Sequence, residues 1–387
     1  MSTTITNKET CLDGFSHDAP CKRLRKSIIP GHTRWGKMCS NTLALIKNFT
    51  KDTDNDKLKD GEKYYSWPVW LSAGDRKLLQ SSVKADVTVA KDGSGDYTTV
   101  AAAVAGAPSK SGSRYVIKIA AGVYKENVEI PTTKTNLMFI GDGRTNTIIT
   151  GSRNVASGDT TTFNSATVAA VGDGFLARDI TFENTAGPSG HQAVALRVGS
   201  DLSAFYRCGI QGYQDTLYVH SNRQFFVDCL VMGTVDFIFG NAAVVLQDCD
   251  IQPRRPGRTD PNQNTGIVIQ KCTITASSDL KPVEANFPTY LGRPWKEYSR
   301  TVVMQSSISE VINPAGWYPW NGDFALDTLY YREYKNTGAG ADTSHRVTWA
   351  GWGVISTTAE ANTFTPRNFI DGGTWLPSTG FPFSLGL

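Results

Sequence analysis

Five segments fall in step along the middle of this chain: LARDITF (176–182), AFYRCGI (204–210), FFVDCLV (225–231), VLQDCDI (245–251) and VIQKCTI (268–274). Their fifth positions are Ile180, Cys208, Cys229, Cys249 and Cys272, at intervals of 28, 21, 20 and 23 residues. Each segment has the β-branched and aromatic texture of a strand, and Gly, Asn and Asp fall between them. A strand-bearing unit of this length cannot bury its apolar face alone. Stacked copies can, and the result is a solenoid of coils in parallel β pairing, with equivalent positions forming ladders along the axis. A leucine-rich repeat is excluded because no LxxLxL consensus recurs. An antiparallel sandwich is the competing fold, since strand runs alone do not fix direction.

Composition agrees with a turn-rich β protein: 36 Gly and 14 Tyr accompany short β-branched runs, and long helices are not expected to dominate. A net charge of +3 is too mild to argue for nucleic acid, although it suits an anionic polymer. No apolar run reaches the roughly 18 residues of a membrane span, and the N-terminus MSTTITNKETC lacks the charged and apolar regions of an export signal. Residues 40–50, SNTLALIKNFT, read as a short amphipathic helix capped by Ser40 or Asn41, with Leu43, Ile46 and Phe49 on one face. The mixed charges from Lys51 to Lys63 read as a solvated linker. The basic pair Arg76 and Lys77 then precedes the change to strand texture, so a boundary is expected near Gln80, dividing 1–80 from 81–387.

The segment GTVDFIFGN poses the chemical problem. Asp236 stands among Val235, Phe237, Ile238 and Phe239, where an ionised carboxylate is costly to desolvate. Asp215, in YQDTLYVH, lies 21 residues earlier, about one coil. Adjacent coils therefore bring both carboxylates to one face. Two such groups cannot ionise equally, so one serves as base or nucleophile while the other keeps a proton. The plainer reading of each Asp is a turn former. Gln192, in HQAVALRV, and Gln214 add neutral amide donors of the kind that stabilise a developing oxyanion. In LGRPW, Arg293 and Trp295 combine a carboxylate partner with a flat surface for a sugar ring. There is no GxSxG, Walker loop or HExxH, and the 5 histidines lie in unpromising surroundings for a Ser-His hydrolase. Cys11, Cys21 and Cys39 lie near the start. The second group permits disulfides from Cys208 to Cys229 and from Cys249 to Cys272 across neighbouring coils, and equally permits buried thiols. Metal ligation is not expected, because neither a CxxC pair nor a matched His cluster accompanies them.

AGVYKENVEI, HQAVALRV, GYQDTLYVHSNRQFF, GTVDFIFGN and YLGRPW together resemble the signature segments of plant pectin methylesterases, over about Val87 to Phe383. Upstream, TCLDGF, SNTLALIKN and WLSAGDRKLL resemble the end of an inhibitor-like pro-region with a dibasic processing site, here near 76–79. The resemblance implies a right-handed parallel β-helix preceded by a short helical or irregular pro-region remnant. It implies hydrolysis of the C6 methyl esters of homogalacturonan, with no metal or cofactor. Asp236 would be the nucleophile, Asp215 the acid and then base, and Gln192 and Gln214 the oxyanion donors. Arg293 would hold Asp236, so that the charge survives by pairing. Phe163, Tyr218, Phe239, Trp295 and Trp320 would line the cleft. The implied partners are pectin and a proteinaceous inhibitor, with neither nucleic acid nor membrane, for a monomer of the plant cell wall. One departure stands out at IQPRRPGRTDPNQNTG, where relatives carry a further stretch between the equivalents of Pro256 and Gly257. The competing expectation is therefore an impaired, pectin-binding β-helix in which Arg293 is drawn away from Asp236. A polygalacturonase or pectate lyase is disfavoured, since its chemistry needs further carboxylates or a calcium cluster.

Overall fold

The computed structural model describes residues 84–252 and 266–387. Their strands form three sheets, of 11, 8 and 5 strands. One coil runs through Leu196–Val198, Ser203–Tyr206 and Gly209–Gln211, visiting the five-, eleven- and eight-stranded sheets in turn. The next repeats the circuit through Leu217–Val219, Arg223–Val227 and Leu230–Met232, each strand parallel to its predecessor. This is a parallel β-helix. The sandwich reading fails because the ladders between coils are parallel throughout. Leu176, Ala204, Phe225, Val245 and Val268, the first residues of the five repeated segments, pair in register.

The fourth residue of each segment explains the turn that follows. Asp179, Arg207, Asp228, Asp248 and Lys271 all adopt left-handed backbone, with φ of 59°, 49°, 51°, 52° and 56°. That conformation swings the chain from the eleven-stranded sheet into the eight-stranded one. Asp tolerates it well, and Arg207 is held there by a bidentate pair with Asp179 at 2.6 and 2.7 Å.

Strand alternation then sorts the side chains. Leu196, Val198, Leu217, Val219 and Ile238 point into the solenoid core, where Phe205 and Phe226 stack with centroids 4.5 Å apart. The eleven-stranded sheet is buried on its outer face as well. There Ala204, Phe225, Val245 and Val268 lie under Phe364, Phe369, Trp375 and Leu376 of the C-terminal segment. Gln247 and Gln270 pin that segment by donating to Ser384 O at 3.0 Å and Gly386 O at 2.9 Å. At the other end the helix α1 (Val100–Gly106) buries Val100, Ala103 and Val104 against the first coils. Glu126 accepts from its first amides, Val100 N at 3.0 Å and Ala101 N at 2.9 Å.

Cys208, Cys229, Cys249 and Cys272 are buried free thiols, which corrects the disulfide reading. The Sγ of Cys229 lies 3.3 Å from Val227 O, that of Cys249 3.3 Å from Gln247 O and that of Cys272 3.3 Å from Gln270 O. Residues in register on parallel coils have parallel Cα–Cβ vectors. Their sulfurs therefore follow the strand spacing of about 4.8 Å and do not converge to the roughly 2 Å of a bond.

The expected helix at 40–50, the linker, the boundary near Gln80 and the Pro256–Gly257 junction lie outside the described residues. Across that junction, Ala243–Gln247 and Gly266–Gln270 pair directly in register.

Candidate active site

Three successive coils carry the sequence-predicted residues into the five-stranded sheet side by side. Ala193 N donates to Gln214 O at 3.1 Å, Asp215 N to Val235 O at 2.8 Å and Leu217 N to Phe237 O at 2.7 Å. With Leu217 paired to Ile238, Asp215 and Asp236 occupy equivalent positions one coil apart. Both have positive φ, 62° and 47°, so each stands on a turn just before its strand. Two glycines let the GTVDFIFGN loop lie close. A Cβ on Gly233 would fall 2.2 Å from Phe237 Cβ, and one on Gly240, at φ 137°, would fall 1.9 Å from Val219 O.

The two carboxyl groups have opposite surroundings. Arg293 grips Asp236 with both ends of its fork, Nη2 to Oδ2 at 2.6 Å and Nε to Oδ1 at 3.2 Å. Its guanidinium also lies 4.2 Å from the Trp320 ring centroid. This bidentate pair is how a carboxylate persists beside Phe237 and Ile238. Arg293 is thus seated on Asp236, and the displacement expected from the missing stretch does not occur. Asp215, by contrast, is 8% exposed. Burial and then the Asp236 charge push its carboxyl well above the usual carboxylate range, against a weaker downward pull from Arg293. Both effects favour its protonated form.

Gln192 and Gln214 are half-buried, and their main-chain carbonyls accept from Val155 N at 3.0 Å and Ala193 N at 3.1 Å. Among the described residues their side-chain amides form no hydrogen bond, so the donors are free for a ligand. Phe163, Tyr218 and Phe239 form one aromatic cluster. Tyr218 stacks on Phe239 with centroids 4.3 Å apart, and Phe163 meets Tyr218 edge-on at 6.4 Å. Trp295 and Trp320 are not in that cluster; they stand exposed, Trp320 under Arg293 and Trp295 under Lys296.

Two buried residues escaped the sequence reading. Arg197 lies under Phe163, its Cζ 3.6 Å from the ring centroid. His220 meets Phe163 edge-on at 5.3 Å, and burial and the Arg197 charge pull its imidazole down to about 4. A charge between two inward apolar residues, as in LRV, was the available signal for Arg197. Among the described residues no group of three or more His, Cys, Asp or Glu is arranged to hold a metal ion.

Known proteins similar to this chain in sequence and in fold are alike in kind. The family model described as Pectinesterase matches residues 86–373. Pectinesterase/pectinesterase inhibitor 3 of Arabidopsis thaliana is 64% identical over 100% of this chain and 72% of its own length. Pectinesterase of Daucus carota is 71% identical over 79% of this chain and 99% of its own. Among solved structures, the pectin methylesterase from carrot matches with a TM-score of 0.78 at 70% identity, covering 80% of this chain and 100% of that one. The pectin methylesterase PemA from Erwinia chrysanthemi matches with a TM-score of 0.64 at 27% identity, covering 78% and 100%.

Proposed function

This chain belongs to the pectinesterase family, and on that basis we propose that Asp236 and Asp215 divide the work of hydrolysing a pectin methyl ester. The reaction is that of a carboxylic ester hydrolase, giving free carboxylate and methanol. The observation that carries the assignment is the contrast between the carboxylates: Asp236 locked by Arg293, Asp215 buried one coil away with its pKa pushed up by burial and the Asp236 charge.

Asp236 Oδ attacks the C6 carbonyl carbon, and the carbonyl π electrons move to oxygen. The amides of Gln192 and Gln214 donate to that oxyanion. As it collapses, the bond from carbon to methoxy oxygen breaks, and the Asp215 proton passes to that oxygen, releasing methanol. The product is a mixed anhydride between Asp236 and the sugar. Asp215, now a carboxylate, takes a proton from water as its oxygen adds to the acyl carbon. Breaking the anhydride bond returns Asp236 as carboxylate, leaves Asp215 protonated and frees the uronic acid. Phe163, Tyr218 and Phe239 stack on galacturonate rings, with Trp295 and Trp320 on the exposed wall.

Residues 1–80 belong to an inhibitor-like pro-region, processed near 76–79; the compound name of the Arabidopsis relative supports this. The enzyme works as a monomer in the cell wall, where pectin is the substrate and a proteinaceous inhibitor a partner. The support for a monomer is that one chain supplies both carboxylates, Arg293 and the aromatic floor. Methanol measured from methylated pectin tests the reaction. Chain cleavage without methanol would overturn it.

A further inference from the structure

On the five-stranded sheet the outward side chains form a row, one per coil: Phe239, Tyr218, Arg197, Ala169, Glu129. The first two are the stacked floor of the cleft. Arg197 is the next rung, and it is 6% exposed. Its Nε is sealed from solvent without an acceptor, and among the described residues nothing accepts a hydrogen bond from the guanidinium. The charge that reaches it favourably is Glu129, exposed and two rungs away, roughly 10 Å along the ladder. Phe163 covers one face of the guanidinium. The in-plane N–H donors are left over, and these are the ones that bind a carboxylate in bidentate fashion.

A buried cation with no anion is unfavourable unless the anion arrives with a ligand. Pectin brings one, since each hydrolysed sugar carries a carboxylate. Arg197 lies two rungs, roughly 10 Å, from the coil of Asp236, too far to meet the reacting ester and placed to meet a neighbouring sugar. We propose that Arg197 anchors a free carboxylate of the pectin chain beside the ester under attack, making it a specificity residue for partly de-esterified substrate. This rests on the pectinesterase reading above. Phe163 then serves as the roof of a uronate subsite as well as a stacking surface.

The test compares the parent with Arg197→Lys, Arg197→Gln and Arg197→Met on highly methylated pectin and on the same pectin partly de-esterified by alkali. KM and kcat are measured separately. Gln and Met raise KM on the de-esterified substrate, relative to the methylated one, by about tenfold or more, the size of one charge-assisted hydrogen bond. Lys restores part of the preference. An unchanged ratio in Gln and Met overturns the proposal, and so does restoration by Met but not Lys, because Met only fills the space beneath Phe163. If the neutral variants do not fold, inhibition decides. Oligogalacturonate must inhibit the parent in a salt-dependent manner and Arg197→Lys severalfold less, and its carboxyl-reduced counterpart must inhibit neither; equal inhibition of parent and variant overturns the proposal. Methanol release by the parent on highly methylated pectin reports the esterase reading separately.

Discussion

Replacing Arg293 by Met removes the cation from Asp236 while keeping a side chain of similar reach. The pair has two charge-assisted contacts, at 2.6 and 3.2 Å, with the partners' side chains only 29% and 19% exposed. Each such bond is worth about 1.5–3 kcal/mol, and because both act on one carboxylate they overlap, for a total of about 3–4 kcal/mol. If that orientation is needed only as the nucleophile attacks, kcat falls by about 10² to 10³ with KM little changed. The pH profile supplies a second readout. In the proposed mechanism Asp215 must hold a proton to release methanol, and Arg293 pulls its pKa down. Losing that pull raises the Asp215 pKa further, so the basic limb of kcat moves to higher pH. Arg293→Lys, which keeps the charge but not the fork, should fall between Met and parent and leave the basic limb nearer its original position. The assay is initial-rate methanol release across pH on methylated pectin, with a thermal midpoint for each variant. A Met variant within tenfold of the parent, or one whose whole loss lies in KM, refutes the reasoning.

Gln192→Ala is expected to lower kcat by about 10² to 10³, the usual effect of losing one oxyanion donor; steady-state kinetics with both parameters unchanged would make Gln192 a structural residue. Arg346 and Glu333 form an ion pair with side chains 1% and 2% exposed, bonded at 2.9 and 3.1 Å. Arg346→Met strands the buried carboxylate, so urea unfolding should register a loss of about 3–5 kcal/mol, and a loss below about 1 kcal/mol would contradict the burial argument. Alkylation after unfolding without reductant should label Cys208, Cys229, Cys249 and Cys272, and peptides joined through these residues would contradict the free-thiol ladder.

The fold was legible because the repeated segments were aligned in true register, from Leu176 through Ala204, Phe225 and Val245 to Val268. That same period made the relation of Asp215 to Asp236 readable from spacing. Arg293 was not readable in this way. LGRPW marked it as a partner for some carboxylate, but it lies 57 residues from Asp236, beyond any coil count, and that pairing was assigned by resemblance alone. The cysteines misled because in-register neighbours are close enough for a bond in distance but not in direction. Arg197 was overlooked since it had no partner in the sequence to suggest its use. The cover over the eleven-stranded sheet left a faint trace in Ala204, Phe225, Val245 and Val268, apolar residues on a face that repeat counting treats as outward.

The central claim is that Asp236 is the nucleophile. Asp236→Asn keeps the shape of the side chain and removes the charge, so the protein should fold with a circular dichroism spectrum like that of the parent. Methanol release from highly methylated pectin by the purified variant tests the claim most directly. The account predicts a fall of at least about 10³-fold, since the neutral amide that replaces Asp236 is no nucleophile and Asp215 has the other task of proton transfer. A folded Asp236→Asn protein releasing methanol within tenfold of the parent rate would contradict it.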